Sequence, residues 1–292
     1  MMGNTPIVSI CIPTYNGERT IESCIRSVLR QTFHEIEIVV SDDQSLDNTL
    51  RIVDSILDQR IRILPPELRS SVSANWNRAV RECRGEFIKM MGQDDLLFPE
   101  CIAEEMRAIQ SSPSHPYSFS FSRRNVINEK DQIIIRDYGM DTKSQTLSAE
   151  QIVKRVIRSG TNPIGEPVVG LVRREAILQT SGYTGSYTID IRMWMELLSI
   201  APAIFTHKTL MSFRVGKGSW SYLLRSLQAK DVIVFHLELK DTYPDLVTGR
   251  DLVMGRVSAN LKQFVRIKVI RFLSVKANLF LVLRRKLQFH CK

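Results

Sequence analysis

The first hundred residues repeat one unit: a short run of β-branched and aliphatic residues, a polar loop, then apolar residues at helical spacing. Residues 7–12 precede Pro13-Thr14-Tyr15-Asn16-Gly17, after which Ile21, Cys24, Ile25, Val28 and Leu29 recur at helical intervals. Glu37-Ile38-Val39-Val40 runs into Ser41-Asp42-Asp43-Gln44-Ser45, and Asp47 is placed to cap a helix bearing Leu50, Val53, Ile56 and Leu57. Residues 60–64 read as a third strand and 72–83 as a helix, and the strand over 86–91 ends at Gly92-Gln93-Asp94-Asp95. Strands alternating with crossover helices predict an α/β chain with a Rossmann-like, mainly parallel sheet flanked by helices. Ligands of such sheets bind outside the carboxyl ends of the strands. Three polar clusters, around Thr14, Asp43 and Asp94, therefore share one edge.

Two adjacent carboxylates repel each other unless something positive sits beside them. For Asp94-Asp95 the expected occupant is a divalent metal carrying a diphosphate. Hard oxygen ligands suit Mn²⁺ or Mg²⁺, which often take only one or two carboxylates and complete their shells with water and phosphate. The plainer alternative for an Asp-Asp pair is a turn with a helix cap.

Beyond Pro99 a helix is expected to the Ser111-Ser112-Pro113 break, then antiparallel strands over 117–128 and 132–138 and a helix over 148–157. A rigid polar turn, Thr161-Asn162-Pro163-Ile164-Gly165-Glu166-Pro167, precedes the apolar run 168–172 and a short helix over 174–179. The Gly182-Tyr183-Thr184-Gly185 loop leads to Asp190 and a helix bearing Met193, Trp194, Leu197 and Leu198.

A chain of 292 residues with 43% apolar residues can bury a substantial core. Its five cysteines are scattered and include no Cys-x-x-Cys pair, so a disulfide framework or thiolate zinc site is not expected; a reducing cytoplasm fits, and no export signal is visible. The net charge of +9 is concentrated in the tail, where no acid follows Asp251. Because the cations there alternate with Leu261, Phe264, Val265, Ile267, Ile270 and Phe272, an anionic membrane surface is a better partner than nucleic acid. The competing expectation is a C-terminal helix or helix pair packed on the core. The run 277–283 is shorter than the roughly 20 residues that span a bilayer, which implies peripheral association at the inner face of the plasma membrane.

Val8-Ser9-Ile10-Cys11-Ile12-Pro13-Thr14-Tyr15-Asn16, Ile38-Val39-Val40-Ser41-Asp42-Asp43-Gln44-Ser45, Asn77 with Gly85-Glu86-Phe87-Ile88, and Gly92-Gln93-Asp94-Asp95 follow in order. In these motifs the chain resembles the family 2 glycosyltransferases, whose shared fold is called GT-A. The resemblance is strong over residues 6–110 and continues weakly to about 215. It implies a GT-A domain over 1–215, with a nucleotide-sugar half (1–110) and an antiparallel acceptor half (111–215), and a basic, largely helical extension over 216–292. It further implies that Pro13, Thr14 and Tyr15 cradle the nucleotide with Glu18 nearby, that Asp43 meets the base with Asp42 beside it, that Asp94 contacts ribose or sugar, and that Asp95 holds the metal. The family often has arginine before the asparagine matched by Asn77; here that residue is Trp76, able to stack on a base or sugar. Gly92 replaces the first acid of the longer Asp-x-Asp-Asp form.

An inverting transfer needs a carboxylate that takes the acceptor hydroxyl's proton. By position in the family pattern that acid is Asp190, although Ile189 stands where a neighbouring glutamate is usual. Glu166 and Trp194 are assigned to the acceptor or sugar, and His207, Lys208 and Arg214 are candidate diphosphate contacts. The resemblance implies a nucleoside diphosphate sugar donor, UDP-sugar favoured, and a glycan or lipid-linked acceptor in bacterial surface polysaccharide synthesis. Two alternatives stand beside it: a non-catalytic nucleotide-sugar or glycan binding protein, and a nucleotidyltransferase, whose Gly-rich basic loop is not found at 13–19.

Overall fold

Strands β1 (Val8–Thr14), β2 (Ile36–Asp42) and β4 (Phe87–Met90) are buried at every residue, and they carry continuous apolar runs because helices and loops cover both faces. The computed structural model describes residues 5–111, 116–142, 145–216 and 227–265. Between these strands lie α1 (Ile21–Leu29), α2 (Thr49–Ser55), β3 (Ile61–Ile63) and α3 (Val72–Arg81). The second half adds β5 (Leu96–Leu97), α4 (Cys101–Ile109), β6 (Phe119–Ile127), β7 (Ile133–Tyr138), β8 (Thr146–Leu147), α5 (Ala149–Ser159), β9 (Gly170–Arg173), α6 (Arg174–Ile177), α7 (Ile189–Ile200), β10 (Ala203–Arg214) and α8 (Gln228–Thr242). Residues 249–265 are also helical.

The strands form one sheet in the order β3-β2-β1-β4-β9-β6-β10-β5, with β7 paired to β6 and β8 to β10. β3, β2, β1 and β4 are mutually parallel, β9 runs against β4 and β6, and β6 is parallel to β10, so all six of these strands other than β9 point one way. The expected α/β architecture is therefore present, and β6–β7 is the expected antiparallel pair. No helix among the described residues is long and apolar enough to cross a membrane.

Two local expectations are corrected. Helix α2 follows Asn48, which makes no side-chain cap bond, and stops at Ser55, leaving Leu57 96% exposed; Asp47 accepts the N–H of Thr49, the first helical residue, as expected of a cap, and also that of Glu18. The long strand β10 was not expected from sequence. Its apolar alternation breaks at Thr206-His207-Lys208, where His207 has φ 59° and the register against β6 shifts, as at a bulge.

The halves of the sheet meet over a buried ion pair. Lys89, at the centre of β4, is fully buried with its Nζ 2.6 Å from Glu105 Oε2 of α4, and it also donates to the Gly170 carbonyl at 3.3 Å. Ser122 of β6 donates to the other Glu105 oxygen at 3.2 Å. The pair thus joins β4, β6, β9 and α4, and removing one partner strands a charge in the core. At its C-terminus α5 ends at Gly160, φ 60°, where a Cβ would lie 2.4 Å from the Ala259 backbone nitrogen. Only glycine suits that turn and lets the 249–265 helix approach so closely.

Lys89→Ala is expected to lower unfolding stability by about 3–5 kcal/mol, whereas Lys89→Met with Glu105→Leu should recover most of the loss. Urea unfolding measures both; equal losses would show that the pair is not coupled.

Candidate active site

The carboxyl ends of β1, β2 and β4 open into a cleft of about 1220 Å³, closed on the other side by Arg124, Glu166, Asp190 and Arg214. One small ligand usually occupies ~300–1,000 Å³. The cleft is larger than the usual single-ligand pocket.

Its first wall is set by an amide clasp. Gln93 Oε1 accepts from the Tyr15 backbone N–H at 2.9 Å and from the Thr14 hydroxyl, while Nε2 donates to the Tyr15 carbonyl at 3.0 Å. The β1 and β4 loops are thereby locked together, and Gly17 is required because a Cβ would overlap the Gln93 amide. The Arg69 guanidinium lies 4.4 Å over the Tyr15 ring. Asp43 accepts the Ser70 N–H at 2.7 Å and its hydroxyl at 3.0 Å, both on Oδ1. Asn75 exchanges two bonds with Ser41 at the end of β2, and Asn77 clasps the backbone of Tyr183 at 2.7 and 3.0 Å. Between these asparagines Trp76 faces the cleft and meets the Tyr183 ring edge-on at 5.1 Å.

At the floor, a Cβ on Gly92 would sit 2.9 Å from Asp95 Oδ2 and 3.1 Å from Asp94 Oδ1. The two carboxylates flank a cradle that any larger residue would fill. Asp95 is buried and uses its other oxygen to accept the Arg214 backbone N–H at 3.0 Å. Burial raises its pKa well above the usual carboxylate value, and the neighbouring Asp94 charge raises it further; burial also raises that of Asp94. A divalent cation would relieve both effects, so the hard oxygen pair fits Mn²⁺ or Mg²⁺. Among the described residues no group of three or more His, Cys, Asp or Glu side chains could hold a metal, so ligand oxygens would have to complete its shell. Arg214 is itself consumed: Nε donates to the Asp94 carbonyl at 2.8 Å, Nη1 to the Asn128 carbonyl at 2.9 Å, and Nη2 lies 2.6 Å from Asp131 Oδ1.

On the far wall Arg124 Nε lies 2.5 Å from Glu166 Oε2, a charge contact outside hydrogen-bond angles, and its guanidinium covers the Tyr138 ring at 4.7 Å. The Glu166 loop is rigid because Asn162 Nδ2 and Trp194 Nε1 both donate to the Gly165 carbonyl, at 2.6 and 2.7 Å. Asp190 is only half-buried as a residue, yet its Oδ1 is wholly buried and has no hydrogen-bond partner. Burial, then the Glu166 charge, hold its pKa well above the ordinary carboxylate value, with Arg124 opposing. Val232, Phe235 and His236 of α8 close this end. Burial lowers the His236 pKa to about 4, so the imidazole is neutral near pH 7 and adds no cation.

Pro13, Thr14, Tyr15, Asp43, Trp76, Asp94, Asp95, Glu166 and Asp190 thus line one cleft, with Arg214. Five expected contacts lie outside it. Glu18 is turned to α2, accepting from Asn48 N at 3.1 Å and Nδ2 at 3.0 Å. Asp42 closes its own turn by accepting from Ser45. Trp194 is a core residue, 1% exposed and stacked 4.7 Å from Phe119, and reaches the site only through Gly165. His207 packs on Phe205 and Lys208 pairs with Glu104, neither of them in the cleft lining. Gln93, Arg69 and Arg124 were missed: Gln93 sat in plain view inside the acid motif, whereas Arg124 gave no signal within a strand pattern.

Residues 9–177 match the family model described as Glycosyl transferase family 2. The chain is a family 2 glycosyltransferase. It is 35% identical over 192 residues to the Escherichia coli UDP-Glc:alpha-D-GlcNAc-diphosphoundecaprenol beta-1,3-glucosyltransferase WfgD, covering 66% of this chain and 70% of WfgD. It is 34% identical over 203 residues to the uncharacterized Mycobacterium tuberculosis protein MT1568, covering 66% of this glycosyltransferase but only 62% of that relative. The structure of the mannosyltransferase PcManGT from Pyrobaculum calidifontis, in complex with GDP-Man and Mn²⁺, superimposes with a TM-score of 0.58 over 94% of this chain and 81% of PcManGT, at 15% identity. That likeness is one of fold.

In this glycosyltransferase Gln93→Ala should cost about 1–3 kcal/mol of stability through the loss of three bonds. Hydrogen exchange should show faster exchange of the Tyr15 amide; unchanged protection there would contradict the clasp.

Proposed function

We propose that this enzyme transfers a sugar, with inversion, from a nucleoside diphosphate sugar to a hydroxyl of a glycan or lipid-linked acceptor in bacterial surface polysaccharide synthesis. The observation that carries the reading is the partnerless buried oxygen of Asp190 in the same cleft as the Asp94-Asp95 pair. A UDP-sugar is the favoured donor, supported by the UDP-Glc in the name of WfgD, whose printed acceptor is lipid-linked. The Mn²⁺ in the PcManGT complex supports the same metal class.

Tyr15 and Asp43 hold the nucleoside, Trp76 presents a face to base or sugar, and Asp94 holds ribose or sugar. Asp95, with Asp94 beside it, would hold Mn²⁺ or Mg²⁺, which when bound neutralises charge building on the leaving diphosphate. Asp190 takes the proton of the acceptor hydroxyl as that oxygen attacks the anomeric carbon, and the bond from that carbon to the diphosphate breaks with its electron pair going to the leaving group. Glu166 and Arg124 set how strong a base Asp190 is, and Glu166 is placed to meet acceptor or donor-sugar hydroxyls.

Asp190→Asn should lower kcat by at least about 100-fold with donor affinity nearly unchanged, since a general base acts in the transition state. Loss of donor binding instead would make Asp190 structural. Because the base must be unprotonated, turnover should rise with pH through its elevated pKa. Glu166→Gln removes one charge that holds this pKa up, so the acidic limb of the kcat/KM profile should move to lower pH. An unmoved limb would separate Glu166 from the base.

A further inference from the structure

The helix over 249–265 buries Asp251, Gly255 and Ala259 against the body and leaves Val253, Met254, Val257, Leu261 and Val265 exposed. At about 100° per residue these five fall in one sector of about 120°. Val257 is 62% exposed and Leu261 59%, a continuous apolar face of a kind rarely left to water. The helix runs antiparallel to α8, joined where the Ala229 N–H donates to Gln263 Oε1 at 2.7 Å and, further along, where Gly255 abuts His236. Between the two helices lies a groove of about 380 Å³ lined by Lys230, Arg256, Asn260, Gln263, Ile233 and Val234.

Charge decides the occupant. The one acid in 249–265, Asp251, is 1% exposed and pairs with Arg158 at 2.5 Å. Arg250, Arg256 and Lys230 are exposed. The sequence from 266 to 292 adds Arg266, Lys268, Arg271, Lys276, Arg284, Arg285, Lys286 and Lys292 and no acid; it lies outside the described residues. The acids Asp241 and Asp245 are at the opposite end of the helix pair, beside the connection between the helices. An apolar face with cations beside it suits an anionic bilayer, where side chains enter the acyl boundary and ammonium and guanidinium groups meet phosphates.

We propose that the exposed face of residues 253–265 and the Lys230–Arg256 groove form the docking surface of this enzyme for an anionic membrane. The same α8 lines the cleft with Val232, Phe235 and His236, and its Glu238 forms a two-pronged ion pair with Arg192 of α7, the helix that carries Asp190. Docking would therefore hold the cleft beside the bilayer surface. The proposal stands independently of the acceptor's chemistry.

Flotation of the full chain with phosphatidylcholine vesicles, with and without roughly one-third phosphatidylglycerol, tests it. The protein should float with the anionic vesicles only. Val257→Asp with Leu261→Asp, and separately Lys230→Glu with Arg256→Glu, should each lower partitioning at least about tenfold, with circular dichroism and the unfolding midpoint unchanged because these side chains are exposed. Failure of the unaltered protein to float would overturn the proposal. So would unaltered flotation of both variants, which would place contact in residues 266–292, or a dimer abolished by Val257→Asp with Leu261→Asp, which would make the face a subunit interface.

Discussion

The active cleft depends on the bond between Asp95 and the Arg214 backbone N–H. It joins the loop after β4 to the end of β10, three strands away in the sheet. Around it the Arg214 side chain ties the Asp94 carbonyl to Asn128 and Asp131, so the acid loop and the β6–β7 turn are held together. A buried carboxylate is tolerated because one oxygen is satisfied there, leaving the other turned toward Gly92.

This arrangement also decides how a diphosphate would be neutralised. Arg214 is fully engaged with protein groups, Arg124 faces Glu166, and Lys208 is paired with Glu104 away from the cleft. Arg214 and Lys208, which the sequence offered for phosphate, are thus committed to structure, while Arg69 and Lys130 also line the cleft. The carboxylate pair, its pKa values raised by burial, would suit a divalent ion in that role, and the space at Gly92 leaves room for one.

Much of this was legible in the sequence because the first half obeys simple periodicity. Buried parallel strands give uninterrupted apolar runs, and each ends where its polar loop begins, so the positions of Tyr15, Asp43 and Asp94 followed from topology. What stayed hidden depends on tertiary partners. Trp194 looks like a sugar platform until its indole N–H is seen donating to Gly165 inside the core. Glu18 ties its loop to the start of α2 and Asp42, at the end of β2, closes the following turn, and Arg124 becomes a site residue only when β6 is laid beside the Glu166 loop. The bulge at His207 concealed β10, and with it the anchor for Asp95.

On the proposed function, the Asp94-Asp95 pair binds a divalent ion together with a nucleoside diphosphate. Calorimetric titration of UDP and of GDP, each in Mn²⁺ and in chelator, measures it directly. At least one nucleotide should bind at least about tenfold more tightly with Mn²⁺, about 1.4 kcal/mol, and this gain should vanish in Asp94→Asn with Asp95→Asn. Equal affinity with and without Mn²⁺ in the unaltered protein, or a gain that survives both substitutions, would contradict it.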